Sequence, residues 1–227
     1  MELNSDFSKR AVVHGARTDW LASPMAGVER RMLDRIGGEV ARATTIVRFA
    51  PGSAFSQHTH DGGEEFLVLD GVFQDDYGDF PTGTYVRNPP TTKHVPSSAP
   101  GCTIFVKLWQ FDPDDRNQFH VDTEAGTYAD DAARPGVQVL KLHKDALEEV
   151  VMERWAPGTE ITLGNEGGLE ALVIKGGFSE GGEDFAPQSW LRLPKGSESQ
   201  AVAGPDGAQV WIKRGHLSGE IRAPEQR

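Results

Sequence analysis

The stretch GSAFSQHTHDGGEEFLVLDG, residues 52–71, places two histidines one residue apart, His58 and His60, ahead of a glycine pair and then Glu64 at the head of an apolar run. A strand repeats every two residues, so His58 and His60 leave the same face. A tight turn through Asp61, Gly62 and Gly63, where glycine accepts positive φ at no steric cost, lets Glu64 open the next strand beside them. A second stretch, GTYVRNPPTTKH at residues 83–94, ends on His94, which another strand would deliver to the same place. An isolated His-x-His pair is commonplace on a solvated strand face. Here it comes with a carboxylate, a distant third histidine and the turn residues that would join them. Three imidazoles and one carboxylate suit a first-row divalent ion, and His58, His60, Glu64 and His94 are the expected metal ligands.

Outward from this stretch the chain reads as all-β. Segments such as Thr44 to Phe49 and Glu65 to Leu69 alternate and carry β-branched or aromatic residues, and 26 glycines and 14 prolines punctuate them. Only Pro24 to Ile36 and Lys144 to Met152 have helical character, and both are short. A length of 227 residues fits one large domain or two of modest size, each able to bury a core. The net charge of −11 argues against a nucleic-acid surface and for a solvated acidic exterior. The opening MELNSDFSKRAVV has no apolar h-region, and no stretch is long enough to span a bilayer, so no membrane association and a cytoplasmic location are expected. The single cysteine, Cys102, excludes an intramolecular disulfide, suits a reducing compartment and, within GCTIFVKL, should be a buried inert thiol.

The chain also repeats itself. FLVLDGVF (Phe66 to Phe73) aligns at an offset of 105 with ALVIKGGF (Ala171 to Phe178), and the same offset sets Tyr85-Val86-Arg87 on Trp190-Leu191-Arg192 and Pro89 on Pro194. At an offset of 106, GCTIFVKL answers GAQVWIKR and VRFAPG answers ERWAPG. Arg87 and Arg192, Lys107 and Lys213, and Glu65 and Glu170 are shared, which makes them structural. The ligand set is not shared. His94 falls on Ser199, Glu64 on Leu169, His58 on Leu163 or Gly164, and His60 on Asn165 or Glu166. No metal is expected in the second half. Residues 112–135, polar and rich in Asp and Ala, read as a connector.

The spacing Gly52-x5-His58-x-His60-x3-Glu64-x6-Gly71 resembles the first motif of the cupin superfamily in full. Gly83-x5-Pro89-x-Thr91-x2-His94-x3-Ser98 resembles the second, with Thr91 at its middle glycine and Ser98 at its terminal asparagine. The wording of HTHDGGEEFLVLDGVF, GDFPTGTYVRNPP and GCTIFVKL is similar to the cupin domain of ChrR-type anti-sigma factors, closely over residues 18 to 111 and faintly to about residue 215. The resemblance implies two tandem cupin barrels, that is, double-stranded β-helices or jelly rolls. Residues 1–111 would be the metal-binding cupin domain, 112–135 the connector, and 136–227 a degenerate cupin domain.

Four protein ligands leave one or two positions on a divalent ion, open to water, dioxygen or a chelating substrate. Iron, manganese, nickel and zinc all fit the ligand types. Phe66 and Val68, on the strand face of Glu64, and Phe55, just before His58, would give a small organic ligand an apolar wall. The resemblance implies either a dioxygenase-like enzyme acting on a small carbonyl compound or a ChrR-like sensing module with a regulatory protein partner; a non-catalytic scaffold is the third reading. The sigma-binding signature H-x3-C-x2-C of that family is not in this sequence, so a direct anti-sigma role is not expected. A homodimer formed through edge strands is expected. His14, His143 and His216 read as surface or strand-end residues, and His120 as one that could turn toward the metal.

Overall fold

The computed structural model describes residues 1–38 and 40–224. The chain divides into two units: Met1–Ser5, Asp19–Ala125 and Arg222–Arg227 in the first, and Asp6–Thr18 and Gly126–Ile221 in the second. Each is built on an antiparallel sheet, and among the described residues one 3-10 turn, Gly15–Arg17, is the only helical element. Among them no helix is long and apolar enough to cross a membrane.

In the first unit the strands run in the spatial order Glu2–Leu3, Val28–Gly37, Ala41–Phe49, Cys102–Leu108, Glu64–Asp75, Thr84–Asn88 and Phe119–Asp122. The second unit repeats the order with Ala129–Asp130, Val137–Lys144, Glu149–Trp155, Ser197–Arg214, Leu169–Glu180, Ser189–Leu193 and Ala11–His14. The segment read as a connector thus supplies a strand to each sheet, Phe119–Asp122 and Ala129–Asp130. The last strand of the second sheet comes from the beginning of the chain.

The two segments with helical character are strands. Val28–Gly37 pairs along its length with Ala41–Phe49, absorbing one irregularity between Met32 and Asp34. The partner carries ATTIVRF, whose β-branched residues fit a pleated, half-buried surface, and that pairing overrides the local propensity of MLDRI. Glu149–Trp155 pairs with Val137–Lys144. Asp145, which would cap a helix, instead closes the hairpin, its Oδ1 accepting the backbone N–H groups of Leu147 at 2.7 Å and Glu148 at 2.8 Å.

The shared charged residues lie inside. In the first unit Glu65, Arg87 and Lys107 are at most 1% exposed. The Tyr85 hydroxyl donates to Glu65 at 2.6 Å, Arg87 lies 2.9 Å from Asp115, and the Arg87 guanidinium covers the Phe111 ring at 4.2 Å. In the second unit Trp190 takes the place of Tyr85 and donates to Glu170 at 3.1 Å, and Arg192 covers Phe7 at 3.7 Å. A buried charge persists only where it is paired and hydrogen-bonded, so each copy rebuilds the same network. His216 belongs to it: rather than a surface residue, it is a buried partner of Glu170 at 2.9 Å.

Candidate metal centre

The four residues singled out in the sequence come together in the first unit. The short strands His58–Thr59 and Lys93–His94 pair so that His94 lies opposite His58, and Glu64 opens the strand Glu64–Asp75. One ligand atom from each of His58, His60, Glu64 and His94 lies within 4.8 Å of the others. The Nε2 atoms of His60 and His94 are 3.2 Å apart, and Glu64 Oε1 is 3.5 Å from the first and 3.7 Å from the second. The three rings stand edge to face with centroids 4.5, 4.8 and 5.0 Å apart. His60, Glu64 and His94 are buried and His58 is exposed, so the centre opens to solvent on the His58 side.

The outer hydrogen bonds fix which nitrogen each ring turns inward. The Thr92 hydroxyl donates to the carbonyl of Pro89 at 2.7 Å, which leaves its oxygen to accept from His60 Nδ1–H at 2.9 Å. His94 Nδ1–H donates to the buried carboxylate of Asp75 at 2.9 Å. Both Nε2 atoms therefore carry lone pairs, facing each other and the Glu64 oxygen. Three acceptors at such distances repel unless a cation lies among them. Donors about 2.0–2.2 Å from a shared ion stand at separations of this order, so the residues fit a metal. Burial, ahead of every other influence, lowers the pKa of His60, as do the charges of His94 and His58, while Glu64 and Asp75 oppose the shift. The result is the neutral imidazole that a metal needs.

The backbone around the centre is shaped for it. The chain at Thr91, where the cupin motif has glycine, keeps a glycine-like φ of 79°. Its N–H donates to the His60 carbonyl at 3.0 Å, and the His60 N–H donates to the Thr92 carbonyl at 2.9 Å. Ser98, at the motif's terminal asparagine, is fully buried and donates to the Val72 carbonyl at 2.6 Å. Asn88 donates weakly to Glu64 at 3.5 Å while accepting from Gln118 at 3.1 Å. Asp75, Thr92 and Asn88 were missed in the sequence. Thr92 and Asn88, inside the second motif, sat where a signal could have been sought; Asp75 did not.

A cavity of about 250 Å³ adjoins the centre on one side, with His58, Glu64, His94, Phe55 and Phe73 in its wall. Phe55 lines it as expected. Phe66 and Val68 do not; they are core residues packed with Phe73, Phe80 and Val106. His120 lies on the edge strand Phe119–Asp122 against the Phe80 ring, at 5.5 Å, away from the centre. Cys102 is a buried free thiol whose pKa burial pushes up to about 11, and it is inert at neutral pH.

Residues 8–112 match a family described as the ChrR cupin-like domain. The chain has the cupin fold. Among solved structures, the chain is similar to a putative dioxygenase of Nostoc punctiforme at 14% identity and TM-score 0.69, covering 100% of this chain and 86% of that one. It is similar to protein Ylba of E. coli at 12% identity and TM-score 0.70, with 95% of each chain covered. A third likeness, at 10% identity and TM-score 0.63 over 93% of this chain and 78% of that one, is to the oxalate decarboxylase of Bacillus subtilis, described with Mn(II) centres. At these identities the likeness is one of fold. No curated protein matches the chain.

In the second unit the pairing removes the ambiguity left by the sequence. Leu163 lies opposite Ser199 as His58 lies opposite His94, so Leu163 stands at the His58 position and Asn165 at that of His60. Leu163 and Leu169 are fully buried. Asp75 is answered at the 105-residue offset by Glu180, which accepts from the Ser199 hydroxyl and is held by Arg10 at 2.6 Å. The outer carboxylate has been kept where the imidazole has not.

Proposed function

We propose that this chain is a metal-dependent cupin enzyme that transforms a small carbonyl compound in a dioxygenase-like reaction, with His58, His60, Glu64 and His94 holding one divalent ion. The observation that carries the reading is the 3.2 Å approach of two imidazole nitrogens whose protons are both turned outward. A bound ion would act there as a Lewis acid on a carbonyl oxygen. The chain's own part is to orient His60 through Thr92 and His94 through Asp75, to keep water from most of the centre by burial, and to leave the His58 side open for substrate. In the same reading the units are two tandem cupin barrels, the second, with leucines in place of ligands, being a metal-free scaffold.

Elemental analysis of tag-free protein beside His58→Ala and Glu64→Ala tests this. The expected result is about one equivalent of iron or manganese per chain, lost in both variants, with oxygen uptake on some β-dicarbonyl or hydroxyketone. Metal absent from wild type even after anaerobic reloading would overturn it. The match of residues 8–112 to the ChrR cupin-like domain favours a second reading, a metal- and ligand-sensing module. Tightly held zinc without turnover, together with a ligand-dependent change in assembly, would select that one.

A further inference from the structure

The cavity beside the metal centre is apolar over most of its wall, yet Arg30 and Arg35 both contribute to it. Arg30 lies on Val28–Gly37 directly opposite Val47, and Ala43, Thr45, Val47 and Phe49, alternate residues of the neighbouring strand, all line the cavity. Arg30 thus stands on the inner face of the sheet. On these same two strands Arg48 is supplied with a carboxylate, Glu29, at 2.5 Å. Arg30 has no such provision: its Nε is buried without a hydrogen-bond partner among the described residues. Among the described residues the one carboxylate in the cavity wall is Glu64, which belongs to the candidate ligand set. Burial, followed by the charge of Arg30, lowers the Arg35 pKa, so the two guanidinium groups feel each other's charge. In a chain of net charge −11 this cavity is a local reversal of sign, and low-dielectric walls focus such a field.

We propose that the cavity takes a small organic acid whose carboxylate docks on Arg30 while a second oxygen, keto or hydroxyl, reaches the His58, His60, Glu64 and His94 centre. A guanidinium presents paired donors that match a carboxylate in plane. A volume of about 250 Å³ equals that of roughly eight waters at about 30 Å³ each, which limits the acid to about that many non-hydrogen atoms. This inference rests on the metal reading above and narrows the carbonyl compound to an anionic one, such as a keto acid.

Acetoacetate and acetylacetone test it, being close in shape and differing in charge. Their binding is measured by anaerobic calorimetry on protein of known metal content, for wild type, Arg30→Met and, should the methionine variant fold poorly, Arg30→Gln. Acetoacetate should bind wild type at least about tenfold more tightly than acetylacetone and lose at least that factor in the variants, with acetylacetone and metal content unchanged. Variants that keep acetoacetate affinity within twofold, or metal-loaded wild type that binds neither compound, would overturn the inference and leave the metal centre standing. If wild type carries no metal, the reading of the centre fails separately. Acetoacetate raising the melting temperature of metal-free wild type but not of Arg30→Met would then preserve the anion site, and no shift would sink both.

Discussion

Asp75 and Thr92 would decide how well the four candidate ligands hold an ion, although neither would touch it. Each holds the Nδ1–H of a buried imidazole and so keeps the Nε2 lone pair directed inward. Outer-shell partners of this kind are worth about 10–100-fold in metal affinity. Asp75→Ala should therefore weaken binding by about that factor in a competition titration with a chelating dye, and Asp75→Asn, which still accepts the hydrogen bond, by less. The convergence of the four candidate ligands was legible because two motifs fix their spacing. Asp75 was not, because it sits on another strand 19 residues before His94, and only the folded register brings them together. Thr91 is the second residue with a measurable consequence. A β-branched residue at φ 79° is strained by about 1–2 kcal/mol. Thr91→Gly relieves that strain but loosens the unfolded chain, for a net gain of about 0.5–1 kcal/mol in urea denaturation. His60 sets a pH dependence. Its folded pKa lies below the ordinary 6.5, so its contribution to the stability of metal-stripped protein is complete above that value and is lost as pH falls through the lowered pKa. Melting curves from about pH 8 to 5 should show wild type losing stability relative to His60→Gln on the acid side.

Among the elements, the turn Asp61-Gly62-Gly63 couples the centre to its scaffold. A Cβ on Gly62 would meet the Trp109 ring at 2.2 Å, and one on Gly63, at φ 76°, would meet Phe111 at 2.4 Å. The backbone closes the same contact, Trp109 N–H donating to the Gly63 carbonyl at 3.1 Å. The second unit repeats the arrangement with no counterpart of the four candidate ligands beside it: a Cβ on Gly168 would meet Leu217 at 2.7 Å, and Gly215 N–H donates to its carbonyl at 3.0 Å. Gly63→Ala and Gly168→Ala should thus both destabilise the protein, by about 1–3 kcal/mol in chemical denaturation, from overpacking and positive φ together. Only Gly63→Ala should also weaken metal binding, since Gly63 leads directly into Glu64. The turn residues were read in the sequence for their φ freedom. The aromatic rings lying on them were not, because residues 109–111 follow the last motif strand and carry no spacing signal. The same limit explains the two misread strands: the spacing of apolar residues in Val28–Gly37 and Glu149–Trp155 was visible, but the partner strand that decides between helix and sheet was not.

Across the whole molecule, the repeat was legible as two copies of one pattern because a scaffold must be rebuilt residue by residue wherever its core is rebuilt. The offset that aligned Tyr85-Val86-Arg87 with Trp190-Leu191-Arg192 also aligns the strands that carry them, and both copies have the same seven-strand order. What alternating patterns could not reveal is which stretch completes which sheet. Ala11–His14 finishes the second unit by pairing with Ser189–Leu193, and His14 and Ser189, joined at 3.1 Å, are 175 residues apart. On a ribosome adding about 5–20 residues each second, the edge strand is made roughly 9–35 s before its partner. Through that interval it must remain unpaired while all of the first sheet's strands after Glu2–Leu3 are synthesised. A nascent chain of this protein thus has its first unit's core strands in hand early, and its second unit waits for Ala11–His14 to meet Ser189–Leu193.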